Sequence, residues 1–498
     1  MALSSSYRGV IAALLAIVSS SILIWFGNGL NPWWPLLWFV PLPILLFALR
    51  SSWWGAAIVA GASWLIGGLN FWPYLRLLGA SPAAWATIVS VVALVFAADT
   101  LLFRALIRRG ALWSALVAFP AAWVSYEYAR NFATPHGTAG SFAYSQLNFL
   151  PFLQLASLTG PWGMSFLLML FPAALAIGLH FRRSEPKKAL RIVAATVTVI
   201  GLVLIFGAVR IALPPPPNRV IKVGLIASDL PGNVGVADDG AKSERLFRDY
   251  AGEAEKLAER GAQVIVLPEK LGVIVDPHTQ VADGIFQSLA DRTKSTIVVG
   301  VVYVSQPLQY NEARVYVPGA PMRSYDKRHM LPPFESKFKV GTTLVVMRGA
   351  YGASGVAICK DLDFASPARQ YGKAGVGLLL APAWDFNMDR WWHGHIAVMR
   401  GVEDGFSVVR AAKNGYLTVA DNRGRIRAEV RSDSAPFATL VAEVPVVHDA
   451  TLYLILGDWF AWVALAIFAF ALIQLYRRRR SPEISSEAEA ARVIPTIS

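Results

Sequence analysis

The sequence is poor in charged residues and contains only one cysteine. Asp, Glu, Lys and Arg make up 16% of the 498 residues, whereas soluble globular domains usually contain about a quarter. Between Arg8 and Arg76 the only charged residue is Arg50. A bilayer core requires about 20 apolar residues for each spanning helix. The composition therefore excludes an ordinary soluble enzyme, a disordered chain and a disulfide scaffold, and predicts that the first part of the chain lies in a membrane.

Apolar segments of spanning length predict seven membrane spans before a polar domain and one span after it. They lie at residues 10–27, 33–49, 54–75, 84–103, 111–129, 164–181 and 190–212, and at 452–476. We therefore predict a seven-span membrane domain over 1–213, a Pro linker at 214–217, a separate polar domain over 218–450, an eighth transmembrane helix at 451–476 and a cytoplasmic tail at 477–498. The first segment is longer than the apolar core of a signal peptide, which favours a retained helix.

The distribution of basic residues is a topology signal. The net charge is +13, yet residues 218–476 contain 28 basic and 27 acidic residues, so the surplus lies outside the polar domain. A nucleic-acid-binding protein would instead carry a basic stripe on its folded domain. Short cytoplasmic loops retain Lys and Arg. With both termini in the cytoplasm, most basic residues of the membrane region fall in cytoplasmic segments, so residues 218–450 are expected on the extracytoplasmic side.

Residues 218–450 alternate short β-rich runs with helical stretches. Strands are predicted at Val220–Ile226, Gln263–Leu267, Ser295–Val304, Ala313–Val317, Gly355–Ile358 and Val376–Leu380. Between the first two, a charged helix places Leu246, Tyr250, Ala254 and Leu257 on one face. This alternation predicts one α/β domain with a covered sheet.

The single cysteine, Cys359, lies where the apolar run Gly355–Ile358 meets a polar turn. Most lone cysteines are small core residues, whereas a nucleophile requires a thiolate, and hence a base and a nearby cation. Glu269 ends an apolar strand, where partial desolvation favours a general base. Lys327 is a candidate cation that by itself would be interpreted as a solvated loop charge, and Glu335 follows eight residues later.

The order of these residues resembles the Glu-Lys-Cys catalytic set of the nitrilase superfamily. Pro268-Glu269 follows a strand, Tyr325-Asp326-Lys327 has a glutamate eight residues on, and Cys359 ends Gly-Val-Ala-Ile-Cys. The multispan region and the returning helix narrow the resemblance to the apolipoprotein N-acyltransferases, which acylate bacterial lipoproteins. Further similar segments are Trp391–Gly405, Asn414-Gly415, Gly424–Ile426, Trp123, Glu127, Arg130, Tyr144–Gln146, Gln154 and Gly160–Gly163.

The resemblance implies an α-helical polytopic membrane domain joined to a nitrilase-like α-β-β-α sandwich on the extracytoplasmic side of the bacterial inner membrane. It implies that Cys359 is the nucleophile, Glu269 the general base and Lys327 the cation that stabilises the oxyanion. It further implies a phospholipid acyl donor, a thioester intermediate and the N-terminal amine of an S-diacylglyceryl-cysteine lipoprotein as acceptor, with no metal or other cofactor. Supporting residues would be Glu335 and Asp361, and substrate contacts Trp384, Lys360, His393, Tyr144 and Glu127.

The sequence departs from the family beside these residues. Lys360 and Asp361 stand where an aromatic residue and a glutamate usually follow the cysteine, and Lys270 follows the predicted base where a small polar residue is common. Ala227–Gly232 replaces a glutamine- and asparagine-rich stretch, and Leu380–Trp384 lacks the usual Ser-Asn-Asp. We expect these changes to affect acceptor recognition and not the chemistry.

Other interpretations remain open at this point. The same site could use water or another amine as acceptor, as a membrane-anchored nitrilase-type amidase or acyltransferase would, or the chain could be a non-catalytic transporter or scaffold. A lipid substrate is favoured because a C16 acyl chain gains roughly 12 kcal/mol from burial, at about 0.8 per CH₂, and therefore stays in the bilayer. His393 and His395 lack a third metal ligand at a recognisable spacing. Glu127 and Arg130 are interpreted most simply as a helix-end ion pair, and otherwise as a headgroup or thioester contact.

Overall fold

The computed structural model describes residues 5–217, 219–236, 239–275 and 278–480. The first four residues, and the part of the predicted tail beyond residue 480, lie outside the described residues. The described chain forms an N-terminal helical region, an α/β domain and a C-terminal helix.

The N-terminal region is built from helices, most of them apolar. They are α1 (Ser5–Gly27), α2 (Trp34–Leu37), α3 (Leu42–Ala48), α4 (Trp53–Gly67), α5 (Trp72–Leu77), α6 (Pro82–Arg108), α7 (Leu112–Ala133), α8 (Leu150–Leu153), α9 (Ala156–Thr159), α10 (Pro161–Phe181) and α11 (Pro186–Ala212). In the described part of the chain, six helical stretches are long and apolar enough to cross a membrane: Tyr7–Gly27, Trp53–Leu77, Pro82–Arg108, Pro161–Phe181, Pro186–Ala212 and Trp459–Arg477.

Two of the eight predicted spans are not among these six stretches. The segment 33–49 is divided into the short helices α2 and α3, and Pro41 lies at the break, where its missing N–H cannot continue a helix. The segment 111–129 lies within the 22-residue helix α7, which contains Pro120 and packs against α6 and α10. The number of membrane crossings and the domain bounds remain predictions.

The interior of the helical region is rich in aromatic side chains, and its exterior is apolar. The rings of Trp64, Trp123 and Phe142 form a cluster, with centroid distances of 5.4 Å (Trp64–Trp123), 4.6 Å (Trp123–Phe142) and 5.7 Å (Trp64–Phe142). Large apolar side chains on α6 and α11, including Leu94 and Leu202, are exposed. An exposed apolar surface of this kind suits contact with lipid and not with water.

The α/β domain contains two mixed sheets. Its strands are β1 (Arg219–Ala227), β2 (Val264–Val266), β3 (Val273–Val275), β4 (Thr296–Ser305), β5 (Leu308–Tyr316), β6 (Arg323–Asp326), β7 (Val346–Gly349), β8 (Gly352–Val356), β9 (Leu378–Trp384), β10 (Ser407–Lys413), β11 (Tyr416–Ala420), β12 (Ile426–Arg431) and β13 (Ala438–Val446). The first sheet has the order β13-β1-β2-β4-β5-β6, with β3 also paired to β4, and the second has the order β12-β11-β10-β9-β8-β7.

The remaining helices cover the two sheets and lead back to the membrane region. They are α12 (Pro231–Val234), α13 (Gly240–Glu259), α14 (Thr279–Thr293), α15 (Ala365–Lys373), α16 (Arg390–Asp404), α17 (Leu452–Leu456) and α18 (Trp459–Arg480). The four apolar residues predicted on one helical face, Leu246, Tyr250, Ala254 and Leu257, are buried on α13. They pack with α14 on the outer face of the first sheet.

The layers form an α-β-β-α sandwich, as the resemblance implied. Val223 and Val266 of the first sheet pack against Val356 and Leu380 of the second. The outer face of the second sheet is covered by α15 and α16. The predicted fold class, a helical membrane region joined to a nitrilase-like α/β domain, is therefore confirmed.

Helix α16 joins the α/β domain to the membrane region. Ala397 packs toward the second sheet, while Trp392, Ile396 and Met399 belong to the apolar cluster of the membrane helices. A hydrogen bond of 2.6 Å from Arg400 to the hydroxyl of Tyr144 crosses the same interface. The sandwich is thus held directly against the membrane helices.

Candidate active site

Strand direction brings the candidate catalytic residues to one edge of the sandwich. In the first sheet β2 runs parallel to β4, and β6 shares this direction because β5 is antiparallel to both β4 and β6. In the second sheet β8 and β9 are parallel. Glu269, Lys327 and Cys359 follow the ends of β2, β6 and β8. The backbone N–H of Glu269 donates to the carbonyl of Ala383 on β9 at 3.2 Å, which joins the edges of the two sheets.

Lys327 lies between two buried carboxylates. Its Nζ is 2.8 Å from Oε1 of Glu269 and 2.8 Å from Oε2 of Glu335, and all three side chains are at most 2% exposed. Burial alone would lower the pKa of Lys327, but Glu269 and Glu335 raise it well above its ordinary value. Lys327 is therefore a permanent cation in this site.

The two carboxylates differ in what they can still accept. The Glu335 carboxylate accepts four hydrogen bonds, from Lys327, from Lys270 at 2.5 Å, from the Asn311 amide at 2.8 Å and from the backbone N–H of Leu331 at 2.8 Å. Burial would raise its pKa, but Lys327 and Lys270 lower it far below the ordinary value. Oε1 of Glu269 accepts hydrogen bonds from Asn311 at 2.6 Å and from Lys327. Among the described residues no donor contacts Oε2 of Glu269. Only Glu269 therefore keeps an oxygen for a reacting proton.

Cys359, which lines the same cavity as Lys327, Glu269 and Glu335, has a constrained backbone conformation. Its φ is +43°, a left-handed conformation that is uncommon for a residue with a side chain, and it begins a 3₁₀ helix, Cys359–Asp363. Its Sγ lies 3.5 Å from the carbonyl oxygen of Trp384. Burial, together with the Glu269 carboxylate, raises the pKa of the thiol. The resting sulfur is therefore a thiol, and its proton must move as the sulfur attacks.

Asp361 connects the cysteine turn to the lysine loop. It is fully buried and accepts the backbone N–H groups of Ile358 at 3.1 Å, Arg328 at 3.0 Å and His329 at 2.8 Å. It also accepts the hydroxyl of Tyr325 at 2.8 Å. Because Arg328 directly follows Lys327, these bonds set the position of the ammonium relative to the sulfur.

Trp384 forms one wall of the site between two lysines. The Nζ of Lys413 lies 3.9 Å from its ring centroid, and the Nζ of Lys270 lies 5.2 Å away. Burial, followed by repulsion from Lys270, lowers the pKa of Lys413 to about 7. Neither Lys413 nor the bridging Asn311 was identified from the sequence.

A cavity of about 380 Å³ extends from these residues into the membrane region. Its lining includes Glu269, Lys327, Glu335, Cys359, Lys360, Trp384, His393 and Glu127. The wall formed by α5 and α6 is apolar and includes Leu75, Ile88 and Val92. Ile88 is 48% exposed. The cavity therefore joins the charged site to an apolar wall that the membrane helices supply.

Two residues predicted to contact substrate, Tyr144 and Glu127, bond other protein groups in this structure. The Tyr144 side chain is buried behind the cavity, where its hydroxyl contacts Arg400 and Thr138. Glu127 lines the cavity, but its carboxylate accepts the indole N–H of Trp123 at 3.1 Å, the hydroxyl of Ser141 at 2.9 Å and a backbone N–H. It is not paired with Arg130, so the helix-end ion pair interpretation is wrong.

His393 and Lys360 meet at Asp363 on the membrane side of the cavity. The distances to its carboxylate oxygens are 3.2 Å from Nδ1 of His393 and 3.0 Å from Nζ of Lys360. Burial opposes protonation of His393, but Asp363 and Asp389 raise its pKa to about 10. His395 bonds the carbonyl of Trp391 at 2.8 Å. Within the described ranges, no group of three or more His, Cys, Asp or Glu residues could hold a metal ion.

Comparisons with known proteins find a match for each of the two regions of the chain. The model "Apolipoprotein N-acyltransferase N-terminal domain" matches residues 20–174, and "Carbon-nitrogen hydrolase" matches residues 226–445. The apolipoprotein N-acyltransferase of Geobacter metallireducens is 26% identical over 89% of this chain and 92% of its own length. That of Bradyrhizobium diazoefficiens is 26% identical over 94% and 96%.

Two solved structures are similar to slightly less than half of this chain. An amidase from Nesterenkonia sp. is 18% identical, covers 48% of this chain and 94% of its own length, and has a TM-score of 0.39. Nit3 of Saccharomyces cerevisiae, a nitrilase-superfamily member, is 20% identical, with 45% and 90% coverage and a TM-score of 0.38.

Proposed function

We propose, from the premise that this chain belongs to the apolipoprotein N-acyltransferase family, that it acylates lipoproteins through a thioester at Cys359. The donor is a phospholipid, and the acceptor is the α-amine of an S-diacylglyceryl-cysteine lipoprotein. The observation that carries the proposal is the shared cavity, because Cys359, Glu269 and Lys327 line the same space as apolar side chains of the membrane helices.

In the first half-reaction, Oε2 of Glu269 takes the thiol proton as Sγ of Cys359 attacks an acyl ester carbonyl of the phospholipid. The negative charge that develops on the carbonyl oxygen is stabilised by the Lys327 ammonium, which its two carboxylates hold in place. When the C–O bond breaks, Glu269 returns the proton to the leaving glycerol oxygen. The products are a Cys359 thioester and a lysophospholipid.

In the second half-reaction, the neutral α-amine of the lipoprotein attacks the thioester carbonyl. Glu269 accepts the amine proton, because the oxygens of Glu335 already receive four donors. Collapse of the tetrahedral intermediate breaks the C–S bond, and the proton passes to the departing sulfur. The result is an amide and the restored thiol, which predicts ping-pong kinetics.

The site is tied to the bilayer at both ends of the α/β domain. The six apolar stretches and the relatives describe a multi-pass bacterial membrane protein. Residues 214–217 connect α11 to β1, and α17 leads from the domain into α18. We infer that the domain faces the periplasm and that both termini are cytoplasmic, because the basic residues of the membrane region are concentrated on the opposite side.

The acceptor is tested with purified full-length protein and phospholipid labelled in its acyl chain. Three reactions are compared: a diacylglyceryl-cysteine peptide with a free N-terminus, the same peptide acetylated at its N-terminus, and no peptide. We expect hydroxylamine-resistant labelled amide only with the free amine. Free fatty acid released at the same rate in all three reactions would contradict the proposal and identify water as the acceptor.

A further inference from the structure

A second polar group lies beside the nucleophile and has no part in the steps above. Arg130, His136 and Lys360 all line the cavity. The Nζ of Lys360 is 3.3 Å from Nδ1 of His136, and the Arg130 guanidinium bonds the carbonyl of Ala139, whose own N–H bonds the carbonyl of His136 at 3.0 Å. We propose that these three side chains bind the phosphate group of the acyl donor, an inference that rests on the proposed function.

Among the described residues, no carboxylate contacts the guanidinium of Arg130. One guanidinium N–H₂ group donates to the carbonyl of Ala139 at 2.7 Å, whereas its buried Nε has no hydrogen-bond partner. Glu127, one helical turn away, is engaged by other donors. Gly140 has φ +83°, and a Cβ atom there would lie 2.8 Å from Nη1 of Arg130. The backbone is therefore shaped to admit the guanidinium into the cavity wall.

His136 and Lys360 present further donors to the same space. Lys360 has three N–H donors, of which one points to Asp363 at 3.0 Å and one to His136. Burial, followed by the charge of Lys360, lowers the pKa of His136 to about 4, so its imidazole is neutral near pH 7. Its Nδ1 accepts from Lys360, which leaves the proton on Nε2 as a donor.

The charge balance of the group favours an anion. Asp363 and Asp389 are the carboxylates that contact Lys360 and His393, and Asp363 and Asp389 raise the pKa of His393 to about 10 against its burial, so its imidazole is protonated near pH 7. They compensate these two side chains, which leaves the charge of Arg130 without a contacting carboxylate in the described part of the chain. A phosphate supplies several acceptor oxygens in the geometry that a guanidinium prefers.

The position of the group favours a phosphate that is attached to an acyl ester. Lys360 is bonded in sequence to Cys359, and the apolar wall of α5 and α6 borders the same cavity. A glycerophospholipid carries its phosphate and its acyl esters on one glycerol. Phosphate bound at Lys360 would therefore place an ester carbonyl beside Cys359 and leave the chains among apolar side chains. The aromatic residue usual after the cysteine could not supply this charge.

Binding is measured without chemistry in the full-length Cys359→Ala protein in detergent. The probes are dipalmitoyl phosphatidylglycerol, dipalmitoylglycerol, which lacks the phosphate, and inorganic phosphate as competitor. We expect Lys360→Gln and Arg130→Gln each to weaken phosphatidylglycerol binding about tenfold and to leave dipalmitoylglycerol binding unchanged. Lys360→Arg and Arg130→Lys should recover part of the loss. Arg245→Gln, on the exposed face of α13, is the matched control and should bind like the parent.

The competitor distinguishes the two sources of phosphate. If inorganic phosphate competes with phosphatidylglycerol, the site accepts free phosphate as well as a headgroup. If inorganic phosphate does not compete but the Gln variants still bind phosphatidylglycerol more weakly, the site is limited to lipid. Equal binding of phosphatidylglycerol by parent and Gln variants, or equal loss of both lipids, would overturn the proposal. Because no thioester is formed in this assay, failure of the transfer mechanism would not mimic either result.

Discussion

Replacement of Lys327 by methionine removes a buried charge while nearly preserving the side-chain volume. In the native protein the ammonium lies 2.8 Å from Glu269 and from Glu335 and faces the cavity. Loss of one preorganised donor to an oxyanion costs about 2.7–4 kcal/mol, or 10²- to 10³-fold in turnover. We therefore expect Lys327→Met to form the acyl-enzyme at least a hundredfold more slowly than the parent protein.

The same substitution should also destabilise the fold. Removal of one partner from a buried ion pair costs about 3–5 kcal/mol, although Lys270 remains 2.5 Å from Glu335 and reduces the loss. The pKa of Glu335 is lowered in the folded protein, so its stabilisation is present above the ordinary value of 4.5 and disappears as the pH falls through the folded value. The stability difference between parent and Lys327→Met should accordingly narrow in acid.

The assay is intact-protein mass spectrometry of acyl-enzyme formation in mixed micelles, with denaturant unfolding measured on the same samples near pH 7 and pH 4. Lys337→Met changes an exposed lysine in the neighbouring loop and serves as the matched control. A folded Lys327→Met protein that is acylated within threefold of the parent rate would refute the role of this ammonium.

Two further predictions concern the surroundings of the site. A Cβ atom at Gly300 would lie 2.5 Å from the Cα of Glu269, so Gly300→Ala should displace the base and slow acylation. A Cβ atom at Gly284 would have no atom within 4 Å, so Gly284→Ala should not slow acylation. Similar acylation rates in the two variants would argue against this packing constraint. Between about pH 7 and 10, the lowered pKa of Lys413 makes the unfolding free energy rise with pH, and the raised pKa of His393 makes it fall. Each group contributes about 1.4 kcal/mol per pH unit. Unfolding free energy should therefore fall more steeply with pH in Lys413→Met than in the parent, and less steeply in His393→Gln; unchanged slopes would contradict these pKa directions.

Much of the fold was accessible from the sequence because local patterns carry it. The predicted strands Val220–Ile226 and Ser295–Val304 correspond to β1 and β4, which are largely apolar and mostly buried. The strand β12 was missed because Ile426–Arg431 is a charged edge strand without an apolar run. In β10, Arg410 and Lys413 interrupt the apolar pattern. Both side chains are nevertheless buried, because each bonds a partner that is distant in sequence.

The site could be predicted as a set of strand-end residues but not as an electrostatic arrangement. Sequence spacing permitted an ion pair between Glu127 and Arg130, whereas the fold brings the N–H of Phe142 to the carboxylate instead. Asn311 bridges two glutamates from the middle of β5, where Glu312 and Arg314 are also polar, so the sequence did not single it out. The raised pKa of the Cys359 thiol depends on burial, which a sequence does not display.

The central claim is that the acyl chain rests on one sulfur atom during transfer. Full-length protein is incubated with phospholipid and no acceptor. One portion is digested and analysed for an acylated peptide that contains Cys359. A diacylglyceryl-cysteine peptide is added to the undigested remainder. We predict one acyl group on that cysteine, its disappearance as the N-acylated peptide forms, and no adduct on Cys359→Ala. An acyl group on any other residue, or N-acylation by Cys359→Ala at the parent rate, would contradict the account.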